Sequence, residues 1–97
     1  IFDGNDGGGV PYTGAAILVN HAWVDIHGSK FTNNTCDNSS SSNSSVIMVR
    51  DSSVMSIRDS LIDNNTGYRV IQNYLSGSTS PSSFSITDST ISNNTQT

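Results

Sequence analysis

The sequence predicts an all-β chain wound as a parallel β-helix of about three coils. Three observations predict it. A spaced motif returns at nearly constant intervals, the apolar residues fall in short β-branched runs, and strong helix formers are almost missing. The motif is Phe31-Thr-Asn-Asn-Thr35, then Ile62-Asp-Asn-Asn-Thr66, then Ile91-Ser-Asn-Asn-Thr95, with spacings of 31 and 29 residues. An interval of 29 back from Phe31 reaches Phe2-Asp-Gly-Asn5, the same frame. A repeat of about 30 residues is the mark of a solenoid, in which one supersecondary unit stacks on the next.

Each period holds three apolar segments. The first is "GAAILVN", "SVIMVRD" or "YRVIQN", and the second is "WVDIHGS", "VMSIRDS" or "FSITDS". In the second, Val24/Ile26, Met55/Ile57 and Phe84/Ile86 alternate with Asp25, Ser56 and Ser85. That period of two is a strand with one buried face. The third segment is the F/I-x-N-N-T piece, so three short strands per period are expected. Ile26, Ile57 and Ile86 should form one inward column, and Phe31, Ile62 and Ile91 a second. A β-sandwich also has many short strands, but nothing in a sandwich requires the same residue types every 29–31 positions. The chain reads as one segment, 1–97, with coils at approximately 6–35, 36–66 and 67–95.

Two asparagine positions follow from stacking. The first reads Gly4, Asn33, Asn64, Asn93, the residue types that tolerate positive φ. The second is Asn in all four copies: Asn5, Asn34, Asn65 and Asn94. Stacked at about 4.8 Å per coil, these amides can bond one another in a ladder along the axis. Ser29, Ser60 and Ser89 would form a similar polar column.

Composition agrees. Ser, Thr and Asn make up 39 of 97 residues, while there are three Ala, three Leu and no Glu, a poor helical composition. The net charge of −4 provides no footprint for nucleic acid. One cysteine, Cys36, cannot make an internal bridge, so it stays a free thiol or pairs outside the chain.

These motifs resemble the right-handed parallel β-helix repeat proteins, particularly the chlamydial-type polymorphic outer membrane protein repeats, which carry F-x-x-N and G-G-A-I. F-x-x-N is met by Phe2/Asn5 and Phe31/Asn34, with Ile at 62 and 91. Gly14-Ala15-Ala16-Ile17 stands one residue off G-G-A-I, and later coils lose it ("SSVIM", "GYRVI"). The resemblance implies a right-handed parallel β-helix and an extracellular, surface-displayed or adhesive role.

For chemistry the sequence offers little. Asp25, His27, Arg58 and Asp59 are the most enzyme-like group, without a paired-carboxylate arrangement, and read as solvated surface charge. "DGNDGGG" resembles a calcium loop in Asp3 and Asn5, but Gly7 stands where the next ligand belongs. No catalytic residue, metal or cofactor is expected. The stronger signal is modification: N-x-S/T sequons occur at Asn33, Asn38, Asn43, Asn64 and Asn93. At Asn33, Asn64 and Asn93 the coil corner also explains the string, whereas Asn38 and Asn43 lie in a polar run, "CDNSSSSNSS". The expectation is a secreted or cell-surface glycoprotein, non-enzymatic, with a structural or adhesive role. Its partners would be N-linked glycans, cell-surface or matrix carbohydrate, and further coils, from flanking chain or head-to-tail copies. The rival is a fragment of a β-helical carbohydrate-active enzyme, a polysaccharide lyase or hydrolase.

Overall fold

The computed structural model describes residues 1–7, 14–36, 45–67, 69–74 and 82–96. Among these the chain is all-β, and every strand pair is parallel. Thirteen strands run in order: β1 (Phe2–Asp3), β2 (Gly14–Asn20), β3 (Trp23–His27), β4 (Lys30–Thr32), β5 (Thr35–Cys36), β6 (Ser45–Arg50), β7 (Val54–Arg58), β8 (Leu61–Asp63), β9 (Thr66–Gly67), β10 (Arg69–Tyr74), β11 (Ser83–Thr87), β12 (Thr90–Ser92) and β13 (Thr95–Gln96). They form four sheets, ordered β1-β4-β8-β12, β10-β6-β2, β11-β7-β3 and β13-β9-β5.

Each strand pairs with its equivalent one repeat away. Ile26 pairs with Ile57 and Ile57 with Ile86. Phe2 pairs with Phe31, Phe31 with Ile62, and Ile62 with Ile91. Large apolar residues therefore stack on large apolar neighbours, and the Phe2 and Phe31 rings lie parallel with centroids 4.6 Å apart. The four-member column spans three spacings, about 14 Å at about 4.8 Å each, against a shortest dimension of 16 Å.

All four sheets contribute to one core. It holds Val19, Val46, Ile47 and Val49 from the β2/β6 sheet, Ile26, Met55 and Ile57 from β3/β7, Phe31 and Ile62 from β4/β8, and Cys36 from β5. Full burial of one such aliphatic side chain contributes about 1.5–3 kcal/mol. The members at the outer layer are less covered: Ile86 is half-buried and Ile91 is exposed. Cys36 is fully buried, so the thiol is not presented for pairing outside the chain.

Two features depart from the sequence reading. The third segment of each period makes two strands, not one, because the first asparagine breaks it. Asn33, Asn64 and Asn93 have φ of 57°, 55° and 53°, and Gly4 has 65°. That left-handed residue turns the chain between β4 and β5, between β8 and β9, and between β12 and β13. Secondly, β2 carries a bulge: Gly14 pairs with Ser45 but Ile17 with Ile47, one extra residue on the β2 side. A Cβ on Gly14 would lie 1.9 Å from the Ile17 carbonyl oxygen, so only glycine fits there. The extra residue lies within Gly14-Ala15-Ala16-Ile17, the segment that differs from G-G-A-I at Ala15.

The second asparagine is buried where the first is exposed. Asn34 and Asn65 have no exposed surface. Asn65 Oδ1 accepts from both the backbone N–H and the Nδ2 of Asn34, each at 2.9 Å. Asn65 Nδ2 donates to the Phe31 carbonyl and to Asn94 Oδ1, both at 2.9 Å. Asn65→Ala removes all four of these bonds and leaves the buried Asn34 backbone N–H without its acceptor; a buried group left unsatisfied costs about 1–3 kcal/mol. The substitution should lower the urea midpoint severely or prevent folding. Asn64→Gly, one residue away, should be nearly neutral because glycine accepts the left-handed φ. Urea titration of the two variants checks the contrast.

Candidate functional site

Three corners organise each layer, and each satisfies its backbone in the same way. After the left-handed residue comes a polar side chain that accepts the backbone N–H of its counterpart in the preceding layer. At the asparagine corner this repeats as Asn5 N–H to Asn34 Oδ1 (3.0 Å), Asn34 to Asn65 (2.9 Å) and Asn65 to Asn94 (2.9 Å). After β3, β7 and β11 the left-handed residues are Gly28, Asp59 and Asp88. There the Ser29 N–H donates to Ser60 Oγ and the Ser60 N–H to Ser89 Oγ, both at 3.1 Å. After β2 and β6 the left-handed residues are His21, Asp51 and Ser52. The Ala22 N–H donates to Ser53 Oγ and the Ser53 N–H to Ser82 Oγ, each at 3.2 Å. The Ser53/Ser82 corner escaped the sequence reading. Its signal was a serine one layer from Ala22, in phase but without the repeated triplet that marks the other two.

The exposed half of the asparagine corner carries the sequons. Asn33, Asn64 and Asn93 are all exposed and share one corner. Their side-chain nitrogens point along the stack. Asn33 Nδ2 donates to Asp3 Oδ1 (2.8 Å), Asn64 Nδ2 to Asn33 Oδ1 (2.7 Å) and Asn93 Nδ2 to Asp63 Oδ1 (2.8 Å). Each bond uses one N–H, and an amide nitrogen has two. Asn38 and Asn43 lie outside the described residues.

The neighbouring column reads Asp3, Thr32, Asp63, Ser92 in register. Carboxylate and hydroxyl alternate, matching the 29, 31, 29 spacing of the repeat. Asp3 Oδ1 accepts Thr32 Oγ1 at 2.7 Å, and Asp63 Oδ1 accepts Ser92 Oγ at 2.7 Å. These hydroxyl bonds first, and those from Asn33 and Asn93 next, hold both carboxyls below the usual aspartate range. Asp3 and Asn5, the two residues of the calcium-like string, are thus both engaged in side-chain bonds between layers.

The outer face of β3 and β7 brings together the enzyme-like group. His27 Nε2 lies 2.6 Å from Asp59 Oδ2, and Arg58 donates to Asp25 Oδ2 at 3.3 Å. Ser56 Oγ donates to Asp25 Oδ1 at 2.9 Å. That bond lowers the Asp25 pKa most; partial desolvation opposes it and the Arg58 charge adds to it. Both ion pairs are more than half exposed and contribute little to stability. Each carboxylate faces a basic side chain, so the group does not supply a pair of opposed acids. Among the described residues no set of three or more His, Cys, Asp or Glu side chains converges as metal ligands. On the same face Trp23 is 82 % exposed. With Asp25, Val54 and Ser56 it borders a shallow recess of about 200 Å³.

Comparison with protein families, with curated proteins and with solved structures finds no match to this chain.

Asp3, Asp25 and Asp63 titrate below 3.8 in the folded protein and near it once unfolded. As pH falls, the unfolded chain takes up protons first. The stability these carboxylates contribute is therefore complete above 3.8 and is lost as pH drops through the lower folded values. Urea midpoints measured against pH should fall in this window, and Asp3→Asn with Asp63→Asn should flatten the fall.

Proposed function

We propose that the protein is a non-enzymatic extracellular glycoprotein whose four parallel sheets are the faces of a right-handed parallel β-helix of about three coils. Its role is structural or adhesive. The observation that carries this reading is the division of labour within the Asn-Asn-Thr corners. The second asparagine, buried at 34 and 65 and half-buried at 94, satisfies backbone groups between coils; the first stands exposed at a sequon. A solenoid needs the second at every turn, but packing makes no demand that the exposed left-handed residue begin a sequon, since glycine serves there at Gly4. The exposed faces favour a scaffold over a catalyst, with carboxylates engaged by hydroxyls, amides or basic side chains in neighbouring layers. A glycoside hydrolase would require a pair of opposed carboxylates, whereas on the outer face of β3 and β7 Asp25 faces Arg58 and Asp59 faces His27.

Within this reading the three corner sites lie about 4.8 Å apart per coil, so neighbouring glycans crowd. Each of these amide nitrogens carries a second N–H beyond the one it donates along the stack. Glycopeptide mass spectrometry of native material should find sugar on Asn38 or Asn43 and partial occupancy over Asn33, Asn64 and Asn93. All five sites bare in native material would overturn the glycoprotein reading.

A further inference from the structure

We propose that the outer face of β3 and β7 binds a neutral pyranose ring, stacked on Trp23 and hydrogen-bonded by the Asp25 carboxylate. The proposal rests on the adhesive reading and names the ligand class it serves. A tryptophan at 82 % exposure leaves a large apolar plate in water, and its removal from water is favourable at about 25 cal/mol per Å². In a strand the side chains at 23 and 25 share a face, as do their partners Val54 and Ser56 across the ladder. The recess of about 200 Å³ therefore has an aromatic plate and a valine at one end and a carboxylate with a hydroxyl at the other.

This combination selects the occupant. The indole face is electron-rich and its partner should present weakly positive C–H edges. The carboxylate is acceptor-only. Oδ1 takes one bond from Ser56 and Oδ2 one from Arg58, and each oxygen keeps a further lone pair for an incoming donor. A pyranose ring supplies both halves: a C–H face and, at its rim, adjacent hydroxyl donors. A basic peptide would also meet an aromatic face and a carboxylate. Here a cation already occupies the carboxylate, because Arg58 donates to Asp25 at 3.3 Å, while an acidic sugar would meet Asp25 with like charge.

The protein has one tryptophan, so its emission reports this recess alone. The native protein is titrated with methyl glucoside, galactoside, mannoside and N-acetylglucosaminide, with methyl glucuronide and a lysine-rich peptide as controls. A saturable emission change with at least one neutral glycoside, stronger than with either control, is expected. By calorimetry, Trp23→Phe should retain binding, Trp23→Ala should abolish it, and Asp25→Ala should weaken it at least about tenfold. Both side chains point to solvent, and far-UV circular dichroism of the variants checks that they fold. No saturable change with any neutral glycoside, binding unaltered in Trp23→Ala, or tighter binding of the peptide would each overturn the proposal. Adhesion to glycan-bearing surfaces is measured in parallel. Adhesion that survives Trp23→Ala overturns this site and leaves the adhesive reading standing; no adhesion by the native protein overturns both.

Discussion

The structure depends on the backbone groups at the corners. A strand interior pairs its own N–H and C=O groups with the layers on either side, but a left-handed turn takes the following N–H out of that ladder. Buried and unpaired, such a group costs about as much as a lost hydrogen bond with its desolvation. The asparagine ladder removes that cost at one corner. Asn34 shows how much one side chain does: Nδ2 reaches back to the Phe2 carbonyl and forward to Asn65 Oδ1, while Oδ1 accepts two donors from Asn5. One amide thus joins three layers. Aspartate lacks the donors, and serine has one hydrogen where Asn34 uses two.

Serine performs the smaller version elsewhere. Ser60 Oγ accepts the Ser29 N–H and donates to the Arg58 carbonyl two residues back. Ser53 Oγ accepts the Ala22 N–H and donates to the Arg50 carbonyl, three residues back because two left-handed residues precede it. Hydroxyl and amide corners follow one rule, and the rule accounts for a composition in which Ser, Thr and Asn reach 39 of 97. A composition that suggests disorder here includes the polar side chains a stack of turns requires.

Much of this was legible because repetition displays it. Phe2, Phe31, Ile62 and Ile91 mark the layer spacing, and Gly4 beside Asn33, Asn64 and Asn93 marks the left-handed position. The fourth strand of each layer was not legible: two residues such as Thr35–Cys36 are too short to show a period. The left-handed Gly28, Asp59 and Asp88 carried a signal of the same kind as Gly4 and Asn33, namely a Gly/Asp column just before a serine column. Trp23 was hidden by the success of its own strand. Once Val24 and Ile26 are assigned inward, alternation leaves Trp23 outward with Asp25 and His27, a position that packing does not explain. The bulge at Gly14 was not legible, since Gly14-Ala15-Ala16-Ile17 matches its motif in register and differs from it only at Ala15.

Native-state hydrogen exchange at the corner amides tests the central claim most directly. The backbone N–H groups of Asn34 and Asn65 sit in turns, yet each donates to a side-chain oxygen in the next layer, that of buried Asn65 and of half-buried Asn94. The account predicts that they exchange as slowly as the central strand amides of β6, opening only with the sheets around them. Exchange of Asn34 and Asn65 at the rate of unprotected turn amides, while β6 stays protected, would contradict it.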